Sequence, residues 1–398
     1  MPINFQQTYT QIKTIGAQSE ERRKKKEEAR ELARKLFSEY SDKLDLLRTK
    51  VDSAKQADAN IRCAVPVDEN LASSIGTVDS VIQATLIAAD GSQINPDRHA
   101  SIQFGLINVG AITMKLNSGE TPQIFTETEL LFGDDLLPNN IPMSEGLVAL
   151  KRDFAERSAL DELSKNIKGD IVTFTDGPIE LWSAKGEDSH SYLDYSQKYL
   201  GVLSRLQSRG VITAGYVDKP SADLVVRLLE IMMADNEQIK KLRDFHPLRN
   251  VSDRWLFGEE KKPLLKPGER SAIFKIQSSS EKNYTGVLEL HFFYLNVGTE
   301  GKPYPVRVEI PKWVVDDKSK LNLLHAVLVS QCQMMGSKRY PYLLNRAHEI
   351  AVVKNEEKQQ IEQLLTLEIK NQGEEVDTAS YKQGGKDSLA KGRKRYGK

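Results

Sequence analysis

The chain has 398 residues, 39% of them apolar and 25 of them glycine, an ordinary composition for a soluble globular protein that excludes wholesale disorder and a collagen-like fibre. At roughly 100–200 residues per domain this length suggests two or three domains. Lysine plus arginine and aspartate plus glutamate each number 56, so the net charge is zero and any contact with nucleic acid must rest on a local basic patch. The two cysteines, Cys63 and Cys332, supply neither a disulfide framework nor a four-thiolate zinc site, so a reducing, cytoplasmic location is expected. No apolar run is long enough for a membrane-spanning helix, and the N-terminal residues do not read as a secretory signal.

In chain order, residues 17–58 predict one long helix. Glu20/Lys24 and Glu21/Lys25 stand in the favourable i,i+4 order, and Tyr40, Leu44, Leu47 and Val51 form a short heptad seam. That seam suits either packing on its own domain or a coiled coil. An α/β region begins near residue 78. An apolar run at 83–89 predicts a strand stopping at Asp90-Gly91-Ser92, and 102–109 and 111–116 predict two more strands with a turn near Asn108-Val109-Gly110. Helical periodicity covers 146–165, a strand 170–175 ends at Asp176-Gly177-Pro178, and helix, strand and helix follow at 192–208, 210–217 and 221–234. Residues 242–268, rich in charge, proline and aromatics, read as an insertion. Strands at 271–277, 286–295 and 304–309 and helices at 318–333 and 342–367 close the fold. The chain from 371 onward is expected to be disordered; from 381 to 398 it carries seven basic residues and one acid. Consecutive strands with short connections must pair antiparallel, so the sheet is expected to be mixed.

Two segments share one form: an apolar strand delivering an aspartate and then a glycine, at Asp90-Gly91 and Asp176-Gly177. In open α/β sheets functional groups collect beyond the carboxyl ends of strands, and glycine admits a ligand to the backbone. If the strands are neighbours, the two carboxylates converge into the oxygen cluster that hard divalent cations favour. Asp-Gly is equally a common turn dipeptide. On the helix between them Glu156, four residues after Arg152, is positioned to add a carboxylate, with Asp153, Asp161 and Glu162 as rivals. Near the C-terminus Tyr340-Pro341 opens a helix that carries His348 on the face of Leu344, as a core histidine or as a ligand. There is no GxxxxGK[ST] loop and no GxSxG elbow, and no histidine pair has HExxH spacing.

In this order, the Asp-Gly-Ser, Arg-x-x-x-Glu, Asp-Gly-Pro and Tyr-Pro…Ala-His segments resemble the NurA family of DNA-repair nucleases, over roughly residues 80–367. Gly215-Tyr216-Val217-Asp218-Lys219, Asp253-Arg254-Trp255-Leu256-Phe257 and Pro267-Gly268-Glu269-Arg270-Ser271 fit as weaker features. Pro178 departs from a position where small polar residues are also common. The resemblance implies an α/β, RNase H-like mixed sheet flanked by helices, the domain being set at 78–370; the long N-terminal helix or coiled coil (1–77) is consistent with the family, while the insertion (242–268) and the basic tail, taken as disordered (371–398), have no firm counterpart in it. It implies Asp90, Glu156 (with Glu162 as alternate) and Asp176 as metal-binding carboxylates, His348 as ligand or proton carrier, and Tyr340 as a catalytic-site residue. Lys219 and Arg254 are candidate phosphate contacts. The implied activity is a Mn²⁺-dependent (Mg²⁺ as substitute) 5′-to-3′ DNA exonuclease, also acting on single strands. Its implied setting is a homodimer working with a HerA-type hexameric ATPase in end resection. The rival readings are an adaptor without chemistry that docks a ring ATPase, another RNase H-like enzyme of resolvase or RNA-guided type, and a coiled-coil scaffold.

Overall fold

The computed structural model describes residues 3–78, 82–182 and 189–373. It divides into two compact units interleaved along the chain: one holds the residues up to 81, 177–179 and 214–340, the other 82–176, 180–213 and 341 onward. The expected basic tail lies outside the described residues. Among them, no helix is long and apolar enough to cross a membrane.

The second unit is built on a mixed sheet. Strands β1 (Thr85–Ile94), β2 (Gly105–Lys115) and β3 (Gln123–Leu131) form an antiparallel meander. Helix α1 (Glu145–Ser164) then returns the chain to β4 (Ile171–Asp176), which runs parallel beside β1. Meander, helix and parallel strand follow the RNase H-like order. Ser144 starts α1 by accepting the Leu147 N–H at 3.0 Å, the usual service of an N-cap serine. Helix α2 (Ser189–Ser208) packs against α1, and helices α3 (Tyr342–Ala351) and α4 (Asn355–Asn371) complete the unit. Both central strands are buried on both faces: Leu86, Ile87, Val172 and Phe174 are fully buried. Each such side chain contributes roughly 1.5–3 kcal/mol by leaving water.

Several expected boundaries move, each for a local reason. β1 does not stop at Asp90; it runs on to Ile94, and Asp90 pairs with Gly110 in mid-strand. Likewise 105–115 is one strand without a turn, because Gly110 answers a packing need described below. β3, polar and exposed along one edge, has too little apolar alternation to be read from sequence. The predicted helix 342–367 breaks at Val352: the Ala351 carbonyl is taken by side chains of the sheet, and α4 starts afresh with the Glu357 carboxylate accepting the Lys354 N–H at 2.7 Å.

The first unit begins with three helices, Phe5–Ala17, Ser19–Glu39 and Leu44–Ala57, where one long helix was expected. The chain turns at 40–43, and the Ser41 carbonyl accepts the Leu71 N–H. Leu47 and Val51 of the anticipated seam are buried within the unit. Antiparallel pairing links Cys63–Pro66 to Phe274–Gln277, on to Leu290–Asn296, then Pro305–Pro311, and finally Gly215, Tyr216 and Val217. The segment 242–268 holds a short helix, Asp253–Phe257, anchored by Asp253. This buried carboxylate accepts the Val225 and Val226 N–H groups at 2.9 and 2.7 Å and the Tyr294 hydroxyl at 2.6 Å.

Candidate active site

Alternation along β1 sorts the candidate residues. Successive side chains point to opposite faces of a strand, so Asp90 and Ser92 share one face and Gly91 looks to the other. On the first face lies α3. The Asp90 Oδ2 accepts from His348 Nδ1 at 2.7 Å. An ionised carboxylate only accepts, so Nδ1 carries the proton and Nε2 is left as the ring's other functional atom. Ser92 Oγ and Asn108 Nδ2 both donate to the carbonyl of Ala351, at 2.5 and 2.8 Å. They satisfy a backbone acceptor that the end of α3 would otherwise leave open. Thr128 donates to Asn108 Oδ1 at 2.6 Å and fixes its amide. Gly110, opposite Asp90, lets the helix come this close: a Cβ there would stand 2.5 Å from the Ala351 nitrogen and 2.9 Å from the Ala347 carbonyl oxygen.

Asp176 joins the same face. The β1–β4 register ends with Ala88 against Phe174 and Ala89 against Thr175, and Asp90 and Asp176 are the next residues of those two neighbouring strands. Here Asp-Gly ends the strand: Gly177 has φ +85°, a left-handed conformation that favours glycine. Asp176 is exposed and Asp90 half-buried.

The other face belongs to α1. Gly91 faces Arg152 and Glu156, and a Cβ at 91 would stand 2.6 Å from both Arg152 Cγ and Glu156 Oε1. Arg152 reaches Glu156 at 3.3 Å and Asp153 at 2.7 Å. Burial, reinforced by the negative charges of Asp153 and Asp90, pushes the Glu156 carboxyl well above the ordinary 4.5, against the pull of Arg152. The neighbouring Arg157 is fully buried and donates to Thr213 and Thr175 hydroxyls at 3.1 and 2.6 Å. The rival helix carboxylates are placed differently. Asp161 is locked by Arg205 at 2.7 Å and by Arg209; burial would raise it, but those hydrogen bonds bring it below its usual value. Glu162 is exposed and pairs with Lys165.

The fold thus brings Asp90, Asp176 and His348 to one face and sets Glu156 against the adjacent residue on the other. Among the described residues no three His, Cys, Asp or Glu side chains form a metal-holding group. The carboxylates of Asp90 and Asp176, the His348 imidazole and the Glu156 carboxyl are donor types that divalent cations take. Tyr340 belongs to the first unit, where its ring meets Tyr216 edge-on at 5.4 Å, and it follows Arg339, held at φ +53°. Lys219 is exposed and Arg254 half-buried in that same unit. Sequence reasoning missed Ser92, Asn108 and Arg157. A glycine inside an apolar strand, which marks close approach of another backbone or side chain, is the signal that would have exposed the packing at 91 and 110.

The Sulfolobus solfataricus NurA nuclease aligns with 85% of this chain and 98% of its own at 14% identity and TM-score 0.46. The catalytic domain of human endonuclease V aligns over 81% and 98% at 13% identity and TM-score 0.31, and the Bacillus subtilis endonuclease V over 72% and 83% at 13% and 0.32. No curated protein matches the chain. The family model for the NurA domain matches residues 84–353. That span takes in 270 of the 398 residues, and with it Asp90, Glu156, Asp176, Tyr340 and His348. The chain belongs to the NurA domain family, a family of nucleases.

Proposed function

We propose that the protein is a Mn²⁺-dependent deoxyribonuclease that degrades duplex ends 5′ to 3′ and also acts on single strands, with Mg²⁺ as a substitute ion. We further propose that it works as a homodimer with a HerA-type hexameric translocase in end resection. The observation that supports this reading is the meeting of Asp90 with His348 beside Asp176, inside the NurA match.

Asp90, Asp176, His348 and Glu156 are the residues that would hold the ion. When bound, Mn²⁺ supplies Lewis acidity that favours ionised water at neutral pH and offsets charge on the phosphoryl group. Asp90 holds the His348 ring in one tautomer and orientation, which leaves Nε2 as the ring atom that would take or return a proton. Ser92 and Asn108 keep α3, and hence His348, seated on the strand. Glu156 packs from the helix side of the strand against Gly91, which is next to Asp90 in sequence, and Tyr340 positions the DNA strand.

The test is cleavage of end-labelled linear duplex by the wild type and by Asp90→Ala, each with Mn²⁺, Mg²⁺ or EDTA. Ion-dependent degradation lost in the variant supports the reading. Full activity in Asp90→Ala overturns the site, and a wild type that never cleaves, even with a HerA-type ATPase and ATP, overturns the nuclease and leaves an adaptor. Light scattering on the purified chain tests the dimer.

A further inference from the structure

In the first unit a cavity of about 370 Å³ is lined by Arg254, Trp255, Ser221, Ser252, Asp223 and prolines at 220, 303 and 305. Arg254 and Trp255 lie on the short helix that the buried Asp253 fixes through three hydrogen bonds, so both are carried by a rigid mount. The Arg254 guanidinium lies 5.2 Å over the Tyr304 ring, and its Nε is buried without a hydrogen-bond partner.

Among the described residues no carboxylate pairs with Arg254. The structural arginines of the same unit behave otherwise: Arg270 is held by Glu69, Arg307 by Glu309 and Arg227 by Glu230. Asp223, the only acid in the lining, is already engaged by the Asp253 N–H at 3.0 Å, and burial pushes its carboxyl upward, toward the neutral form. On the aromatic wall Arg30 and Arg34 lie 4.6 and 5.2 Å over the Trp255 ring, paired with Glu27 and Glu259 respectively, so Arg254 is the lining cation without a carboxylate partner among the described residues. Lys219 is exposed one residue before Pro220. An arginine without a carboxylate partner in the cavity lining, hydroxyls beside it and flat apolar walls match a ligand with an anionic head and a planar ring.

We infer that this cavity binds one phosphate-bearing nucleotide unit, its phosphate on Arg254 and its base against Trp255. The choice of a nucleotide among planar anions rests on the nuclease reading. The unit is either part of a strand or a free mononucleotide.

Binding of a fluorescein-labelled 12-nucleotide single strand is measured by anisotropy in EDTA across salt concentrations, with the probe checked for integrity on a gel. Unlabelled dTMP serves as competitor in a second arm. Arg254→Gln should weaken strand binding about tenfold and reduce the slope of log K against log salt by about 0.7, the loss of one phosphate contact. Arg254→Lys should keep most of the slope but not the full affinity, because the charge remains and the guanidinium fork is gone. Thermal melts of both variants establish that they are folded. Arg254-dependent binding of the strand alone, or of strand and dTMP, supports the inference and identifies the source of the nucleotide. Equal affinity and slope in wild type and Arg254→Gln, with Arg254→Lys also unchanged, overturn it. That result leaves the nuclease reading standing if the wild type cleaves DNA with Mn²⁺; a wild type that binds but never cleaves fails the nuclease reading alone.

Discussion

Gly110→Ala tests whether α3 is pressed onto the sheet as closely as the geometry requires. The new Cβ would meet the Ala351 nitrogen at 2.5 Å, Ile350 Cγ2 at 2.8 Å and the Ala347 carbonyl oxygen at 2.9 Å. Two of these three atoms are helix backbone and cannot rotate away, so α3 must withdraw by about 1 Å to restore an ordinary 3.5–4 Å contact. Overpacking of this kind costs about 1–3 kcal/mol. Withdrawal also weakens the two hydrogen bonds that Ser92 and Asn108 make to the Ala351 carbonyl, each worth about 0.5–1.5 kcal/mol. Against this, alanine restricts the unfolded chain and returns about 0.4–1 kcal/mol. The balance is a loss of about 2–3 kcal/mol in urea unfolding. The same withdrawal separates His348 from Asp90, so ion-dependent cleavage should fall with stability. Gly201→Ala is the control: it sits within α2 with only Arg205 Nη1 at 3.6 Å nearby, and should stabilise by up to about 1 kcal/mol through helix propensity. A Gly110→Ala protein as stable as the wild type would refute the close seating of α3.

Three further outcomes are expected. His348→Ala should cost less than about 1 kcal/mol, because the pair with Asp90 is partly exposed, yet lower cleavage about 10²–10⁴-fold if the ring handles a proton; unchanged turnover would remove His348 from the mechanism. Along α1, Asp161→Asn should destabilise by about 1–3 kcal/mol and leave cleavage per folded molecule intact, Glu162→Ala should alter neither, and Glu156→Gln should abolish cleavage; loss of activity in folded Glu162→Ala would transfer the role to that residue. Burial raises Asp253 from 3.8 to about 6, opposed by its bonds from Tyr294, Val225 and Val226. A folded-state value above the unfolded one means that its stabilising contribution is complete below pH 3.8 and is lost as pH rises through 6. Relative to Asp253→Asn, which does not titrate, the wild type should lose on the order of 3 kcal/mol between pH 3.8 and 7, read from urea midpoints; a constant difference across that range would show that Asp253 stays ionised.

The sequence made the mixed sheet legible because the strands at 85–94, 105–115 and 171–176 each contain a short apolar, β-leaning run and the connection between the first two is too short for a crossover. β3 was hidden by its polar exposed edge, and the break between α3 and α4 by the fact that its cause, capture of the Ala351 carbonyl, lies in residues far along the chain. The N-terminal helix was drawn as one because the heptad spacing of Tyr40, Leu44, Leu47 and Val51 runs on across the turn at 40–43, where the Ser41 carbonyl accepts the Leu71 N–H. For the site, the two Asp-Gly pairs looked identical and are not. At 177 glycine supplies a left-handed turn; at 91 it supplies an empty volume. One-dimensional pattern reports that a side chain is missing, but the reason resides in which helix lies above it.

That distinction yields a last prediction, Gly91→Ala. Its Cβ would meet Arg152 Cγ and Glu156 Oε1 at 2.6 Å and Arg152 Cδ at 3.0 Å, all side-chain atoms, where Gly110 faces helix backbone. The stability cost should therefore fall at the low end of overpacking, about 1 kcal/mol, partly offset by the alanine gain. Function should suffer more than folding, because the atom displaced is the Glu156 carboxylate oxygen lying directly against the strand beside Asp90. Expected is a folded protein whose ion-dependent cleavage drops at least tenfold and whose apparent affinity for Mn²⁺, read by titration of activity, weakens. Should Gly91→Ala instead lose stability as Gly110→Ala does while its folded fraction cleaves normally, the glycine would be a packing device only, and the carboxylate above it would have no part in the reaction.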